Sequence, residues 1–267
     1  MSAADISIIT VVLNDLDGLR HTIDSIQKQQ DIRIEHIIVD GGSSDGSQLL
    51  AIEHSDVQIA SQSDGGIYQG MQRGAESATS KYLMFVNSAD QLEGTTSLAN
   101  AIQILERESC LWGFGPILEN TLRSTTKLSG GVGKIELNAI TSRKTFVPFP
   151  VVVMRRDEFF RVGGLKYSYR IAGDFDLIVR LSQSTLPIRW HFPLVRFAAG
   201  GISYTMPVTA WREEHLIRVK NLRLGTIKSI ISNLIFLRRV LRWKIGKLLD
   251  VLQSLGILGR KNWRDRG

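Results

Sequence analysis

The 267-residue sequence predicts an α/β fold, a doubly wound and mostly parallel sheet followed by an amphipathic helical tail. Three observations predict it. Short apolar runs alternate with helical patterns between residues 6 and 86, polar and acidic residues gather just after those runs, and basic residues gather at the C-terminal end. A hydrophobic content of 43% suffices for one large core or two small ones.

The first run, "ISIITVVL" (6–13), has strand length and no polar face. "DGLRHTIDSIQKQ" (17–29) then places Leu19, Ile23 and Ile26 at helical spacing, and "IEHIIVD" (34–40) is a second strand. Ser47 opens a helix, "VQIA" (57–60) is a short strand, "IYQGMQRGAESA" (67–78) is helical, and "KYLMFV" (81–86) is a strand again. Such alternation closes through right-handed crossovers into a parallel sheet, and ligands bind beyond the carboxyl ends of its strands. That rule selects Thr10 to Asn14, Asp40 to Asp45, and Asn87 to Asp90. Farther on, a helix begins near Thr95 or Thr96, and "FVPFPVVVMRR" (146–156) reads as a strand. Leu177, Ile178 and Leu181 form a helix face behind Asp174 and Asp176, and "IRWHF" reads as a strand with a packed His191.

The formal charge of +7 is unevenly spread: residues 218–267 carry +11 and residues 1–217 carry −4. An acidic body removes the electrostatic footprint of a nucleic-acid binder, so no nucleic-acid partner is expected and only the tail could seek phosphate. The lone Cys110 cannot form an intrachain disulfide, which suits a reducing compartment, and packing is its expected role. The N-terminal stretch has no basic leader, and its apolar run is too short for a secretory core or a bilayer span.

In "IIVDGGSSDGS" a strand ends on Asp40, two glycines follow, and short hydroxyl and carboxylate groups precede a helix. Asp45 or Ser47 can cap that helix. Asp40 is placed to accept from a base N–H or a ribose hydroxyl. The first strand leads into "NDLDG", so neither a G-x-G-x-x-G loop nor a P-loop is present. In "RIAGDFDLIVRL" Asp174 and Asp176 lie two apart at a helix start, so only one of them should look into a cleft, and Asp174 can be an N-cap or a base.

Taken in order, "ISIITVVLND", "IIVDGGSSDGS", "SDGGIYQGMQRG", "FVNSAD" and "AGDFDLIVRL" resemble the nucleotide-sugar-dependent family 2 glycosyltransferases, especially bacterial surface-polysaccharide members, over about residues 5–203. The resemblance implies a GT-A fold and inverting transfer of a sugar from a nucleotide-sugar donor with a divalent cation, Mg²⁺ or Mn²⁺. It implies a nucleotide-sugar-binding half (1–110) and an acceptor-binding half (111–217). Thr10, Asn14, Asp40, Asp64, Arg73, Asn87 and Ser88 then contact the donor, with Arg73 alternatively a solvated helix charge. Asp90 binds the metal, although Ala89 stands where many members carry a second Asp. Asp174 is the base that deprotonates the acceptor, with Gly173 in place of the usual Glu and Asp176 the runner-up. Lys166, Tyr167 and Arg170 fall in the loop that borders the acceptor, and Val151 stands where a His is common. Leu186 replaces the Gln of the processive Q-x-x-R-W signature, which implies one sugar per encounter.

The tail, residues 218–267, places Ile227, Ile230, Ile231, Leu234, Leu241, Leu248, Leu252 and Leu255 at helical steps, interrupted by Lys228, Arg238, Arg242 and Lys247. No stretch reaches the roughly 18 apolar residues of a spanning helix. A basic helix of this kind, with Trp243 and Trp263, suits an anionic membrane surface or packs on its own domain or another subunit. With the family's lipid-linked saccharide acceptors, the first choice implies a peripheral enzyme on the cytoplasmic face of the membrane. Two other readings follow from the departures and the charge: a catalytically silent nucleotide-sugar-binding partner in polysaccharide assembly, or a nucleic-acid binder driven by the tail.

Overall fold

In a computed structural model of the chain, which describes residues 4–54, 57–60, 66–119, 133–134, 147–198, 206–221 and 226–254, the apolar runs become strands. β1 (Ile6–Val12) lies in parallel register with β2 (Ile34–Asp40), from Ile6 opposite Ile34 to Val12 opposite Asp40. β3 (Val57–Ala60) extends the sheet beyond β2, and β4 (Tyr82–Phe85) joins the other side of β1, both in parallel. The helices between them are α1 (Leu16–Gln27), α2 (Ser47–His54) and α3 (Gly66–Ser77). Ile9 and Val11 of β1 face α3 and Val12 packs with α1 and α2, the alternation of a strand covered on both faces.

The remaining strands are shorter. β5 (Gln91–Leu92) leads into α4 (Ser97–Arg107), after which come β6 (Trp112–Phe114), β7 (Ile117–Glu119) and β8 (Gly133–Lys134). A 3₁₀ turn over Phe149–Val151 precedes β9 (Val152–Arg155), so only the end of the 146–156 run is a strand. The reason is proline: Pro148 and Pro150 lack the N–H a ladder requires. α5 (Arg156–Arg161), α6 (Gly173–Ser184), β10 (Ile188–Arg189) and β11 (Val195–Phe197) complete this part. The large sheet has the order β3-β2-β1-β4-β9-β6-β10-β8, with β9 antiparallel to both neighbours; β5, β11 and β7 form a small second sheet. "IRWHF" departs from expectation. Its strand ends at Arg189, Trp190 is fully buried, and His191 is exposed with its ring edge against Phe192, because pairing with β6 and β8 stops there. Cys110 is buried, as its packing role requires.

Close approach of α3 to the sheet depends on Gly74, where a Cβ would stand 2.5 Å from Ile9 Cγ2 and 3.2 Å from Val39 Cγ2. Gly74→Ala is therefore expected to lower stability by about 1–3 kcal/mol, read as a shift in the urea midpoint.

The chain divides into two compact units, Met1–Thr205 and Met206–Gly267. The second contains α7 (Pro207–Asn221) and α8 (Thr226–Ser254). A boundary at 217/218, where the charge changes sign, falls inside α7; charge marks composition, whereas the helix is bounded by backbone hydrogen bonding. His215 stacks on Phe236 at 5.6 Å with its Nδ1 2.9 Å from Ser232 Oγ, and Glu214 pairs with Arg218 and Arg239. Ile230, Leu234, Leu237, Leu241, Ile245 and Leu248 form an exposed apolar stripe on the face of α8 away from these contacts. Among the described residues, no helix is long and apolar enough to cross a membrane.

Candidate active site

The carboxyl ends of β1, β2 and β4 border a cavity of about 380 Å³ lined by Val11 to Leu13, Val39, Gly41, Asn87 and Ser88, and on the helix side by Gly66, Ile67 and Gly70. It lies where the parallel-sheet rule places a ligand. The two loops beside it are tied together. Asn14, at a positive φ of 51°, accepts from the Ser44 N–H through Oδ1, and its own N–H donates to Ser43 Oγ. Asp45 accepts from Leu16 N–H and Ser47 N–H, so one carboxylate caps both α1 and α2; the hydrogen bond with Ser47, first, holds its pKa below the usual carboxylate range.

Asp40 ends β2 almost fully buried. Its Oδ1 accepts from the Gly42 and Ser43 N–H groups at 2.7 Å each, while Oδ2 is buried without a partner among the described residues. Asn87 Oδ1 is likewise buried and unpartnered among the described residues. A buried acceptor without a donor costs about 1–3 kcal/mol, so an incoming N–H or O–H is favoured at each; Asn87 lines the cavity, whereas Asp40 ends a strand separated from β4 by β1 and is paired with Val12 on the opposite face of the sheet.

Thr10 is elsewhere. It is fully buried on the even face of β1, and its hydroxyl meets His36 Nε2 at 3.0 Å inside the sheet. Expectation took the strand end as a whole; alternation turns this side chain away from the cavity. Burial pushes the His36 pKa down to about 4, so the pair is neutral. Asp64 lies outside the described residues, as does Trp263. Arg73 is half-buried on α3 and makes contacts of its own.

Asp90 is nearly fully buried, and its Oδ1 accepts from the Ala198 N–H at 2.9 Å. Thr22 Oγ1 donates to the Asp90 carbonyl at 2.8 Å, which pins the turn, and Ala89 before it has a φ of 72°. Burial pushes the Asp90 pKa up to about 7, against the lowering effect of the Ala198 N–H. A folded-state pKa above the unfolded value means that stability is full below about pH 4 and is lost as pH rises through 7. Asp90→Asn should abolish that loss, leaving the variant about 4 kcal/mol more stable than the parent at pH 8 in metal-free urea titrations. No group of three or more His, Cys, Asp or Glu residues is arranged to hold a metal among the described residues. The residues fit a hard cation only as a partial site, one carboxylate with further oxygens from ligand and water.

Asp174 opens α6. Its Oδ1 accepts from the Phe175 N–H at 2.7 Å, and the Tyr68 hydroxyl of α3 stands 3.2 Å away. Asp176 has a different environment. It is fully buried, with Oδ2 2.8 Å from Arg180 Nε and 2.7 Å from Arg180 Nη2, and Lys166 Nζ is 3.8 Å away. Arg180 also donates to the Val162 and Gly164 carbonyls at 2.5 and 2.6 Å, so it ties α6 to the glycine turn before it. The two acids thus divide as helical geometry requires: Asp176 is spent on Arg180, and Asp174 is half-exposed. Tyr167 and Arg170 are exposed in the same loop, and Lys166 is partly turned toward Asp176. Val151, set where the resemblance expects a His, is fully buried in the main core.

Sequence reading missed Tyr68, Gln72 and Arg180. Arg180 had a signal, the i, i+4 spacing from Asp176. Tyr68 and Gln72 had none, because their partners lie far away in the chain.

The mostly parallel sheet has the architecture of the GT-A fold. Residues 7–162 match the family described as Glycosyl transferase family 2. An uncharacterized glycosyltransferase of Mycobacterium tuberculosis, Rv1514c, is 32% identical over 207 residues, 75% of this chain and 78% of that protein. A PGL/p-HBAD biosynthesis glycosyltransferase of Mycobacterium bovis is 26% identical over 265 residues, 91% and 99% of the two chains. Among solved structures, S. aureus TarS in complex with UDP has a TM-score of 0.70 at 15% identity, covering 88% of this chain and 71% of that one. The mannosyltransferase PcManGT of Pyrobaculum calidifontis, in complex with GDP-Man and Mn²⁺, has a TM-score of 0.61 at 14% identity, covering 97% and 79%. The chain belongs to glycosyltransferase family 2 and is a glycosyltransferase.

Proposed function

We propose that the enzyme transfers one sugar per encounter, with inversion, from a nucleoside-diphosphate sugar to a hydroxyl of a lipid-linked saccharide or glycolipid at the cytoplasmic face of the membrane. One observation carries the donor assignment: Asn87 Oδ1, a buried acceptor without a partner among the described residues, on a residue that lines the cavity at the end of β4. A nucleoside offers the matching donors, a base N–H and ribose hydroxyls. The nucleotide complexes of TarS and PcManGT support this reading, as does the biosynthetic role named for the mycobacterial relative.

Asp174 is the general base, half-exposed where Asp176 is fully buried against Arg180. Asn14 and Ser88 shape the nucleotide cleft, and Lys166, Tyr167 and Arg170 border the acceptor. Asp90 would hold Mg²⁺ or Mn²⁺, whose chemistry is to neutralise the leaving diphosphate. Because the carboxylate must ionise to bind a cation, Mn²⁺ should raise the melting temperature more at pH 8 than at pH 6. Calorimetric titration with UDP-GlcNAc, UDP-glucose and GDP-mannose, with and without Mn²⁺, tests the assignment. One donor should bind with metal, and Asp90→Ala should lose the metal dependence. Equal binding without metal, unchanged in Asp90→Ala, would remove Asp90 from the site. Inversion is read separately from the anomeric configuration of the product by NMR.

The exposed stripe of α8 supports membrane attachment. It runs from Ile230 to Leu248 and is flanked by Arg238, Arg242, Lys244 and Lys247, which suits an anionic surface. The full chain should float with vesicles containing phosphatidylglycerol, and Leu237→Asp with Leu241→Asp should release it. Equal flotation of that variant would show that the stripe has another partner.

A further inference from the structure

Helix α3 touches both sides of the site. Gly66, Ile67 and Gly70 in its first turns line the cavity, while Tyr68 between them is buried and reaches across to α6. The Tyr68 hydroxyl donates to the Ile171 carbonyl and lies 3.2 Å from Asp174 Oδ1. Its ring rests on the Gly173 backbone, where a Cβ would stand 2.8 Å from Cδ2 and 2.9 Å from Cε2. One turn later, Gln72 Oε1 accepts from the Leu165 N–H at 2.9 Å. Two side chains of the cavity-lining helix therefore fix the segment that carries Asp174.

We propose that Tyr68 is a positioning residue for Asp174, its hydroxyl orienting the carboxylate and stabilising the ionised form that accepts the proton; this rests on reading Asp174 as the base. The hydroxyl has one proton and two acceptors, the Ile171 carbonyl and Asp174 Oδ1. Toward an ionised Asp174 it makes a charge-assisted hydrogen bond. In the transfer the acceptor O–H breaks as its proton passes to Asp174 and the acceptor oxygen bonds the anomeric carbon. The bond from that carbon to the diphosphate breaks, with the electron pair leaving on phosphate. Once Asp174 is neutral, the Tyr68 proton turns back to the Ile171 carbonyl. Tyr68 itself keeps its proton throughout, since burial first and the Asp174 charge second push the phenol well above its ordinary pKa. Of the charges near it in the chain, Asp176 is paired with Arg180, Lys166 leans toward Asp176, and Arg170 is exposed with contacts of its own. Tyr68 also accounts for Gly173, because the Glu common at that place in the family has no room beside the ring.

The test is a titration of the Asp174 carboxyl carbon by ¹³C NMR in the full-length protein, with the resonance assigned from Asp174→Asn. Tyr68→Phe keeps the ring and removes the hydroxyl, and the Asp174 pKa should rise by about half a unit or more. Gly173→Ala displaces the ring and should raise it in the same direction, which also covers the case of a Phe variant that fails to fold. An Asp174 pKa unmoved in both variants overturns the proposal and leaves Tyr68 as packing. Retained turnover in Asp174→Asn, by contrast, defeats the base assignment without touching the titration result.

Discussion

Asp174→Asn is expected to lower turnover by about 10²–10⁴ while leaving donor affinity within a factor of about three, since a general base contributes that much and acts after the donor has bound. Asparagine keeps the shape of the side chain and can still accept from the Phe175 N–H and the Tyr68 hydroxyl, so the local geometry at the start of α6 survives. What it cannot do is take a proton. Turnover is read as release of nucleoside diphosphate from the donor that binds best, and affinity by calorimetry. Loss of affinity in parallel with turnover would show that Asp174 touches the donor instead of the acceptor, and full activity would remove it from the chemistry.

Asp176→Ala should damage the other quantity. Asp176 is fully buried, and the Arg180 side chain is only 11% exposed, so removing the carboxylate leaves a guanidinium in the interior that donates to the neutral Val162 and Gly164 carbonyls. Breaking one partner of a buried pair costs about 3–5 kcal/mol, a large share of a domain's total stability. The urea midpoint should fall accordingly, and adding Arg180→Met should recover part of the loss by removing the stranded charge. A midpoint within about 0.5 kcal/mol of the parent would mean that water reaches Arg180 and the pair is a surface feature. Two acids two residues apart thus separate cleanly, one read in rate and the other in stability.

How much of this was legible in the sequence depends on how far apart the interacting residues lie. β2 and β3 run over the residues that periodicity selects, 34–40 and 57–60, because continuous apolar runs bounded by turn residues give a parallel sheet a local signature. The strands after Cys110 are two to four residues long, shorter than any window in which alternation can be counted, and their identity comes from pairing partners. That Asp40, Asn87 and Asp90 stand at or just past strand ends could be read because a strand end is a local event. Thr10 was misassigned because the strand-end rule names a region and not a face. The Tyr68 contact with Asp174 joins residues 106 apart in the chain and has no local trace at all. Ala89 is intermediate: the missing carboxylate is visible in the letters, but its φ of 72° is not. Asp is better suited than Ala to that left-handed geometry, so Ala89→Asp is sterically permitted there.

The position of β9 has a consequence for how the chain is made. Residues 152–155 fill the slot between β4 and β6 at the middle of the large sheet, so β1 to β4 can pair among themselves while the outer edge of β4 must wait for them. During synthesis β4 keeps an unpaired edge while about 70 further residues are added, on the order of ten seconds at ordinary elongation rates. An apolar strand with an open edge is a template for pairing with another chain. Chains terminated near residue 110 should therefore accumulate in the insoluble fraction.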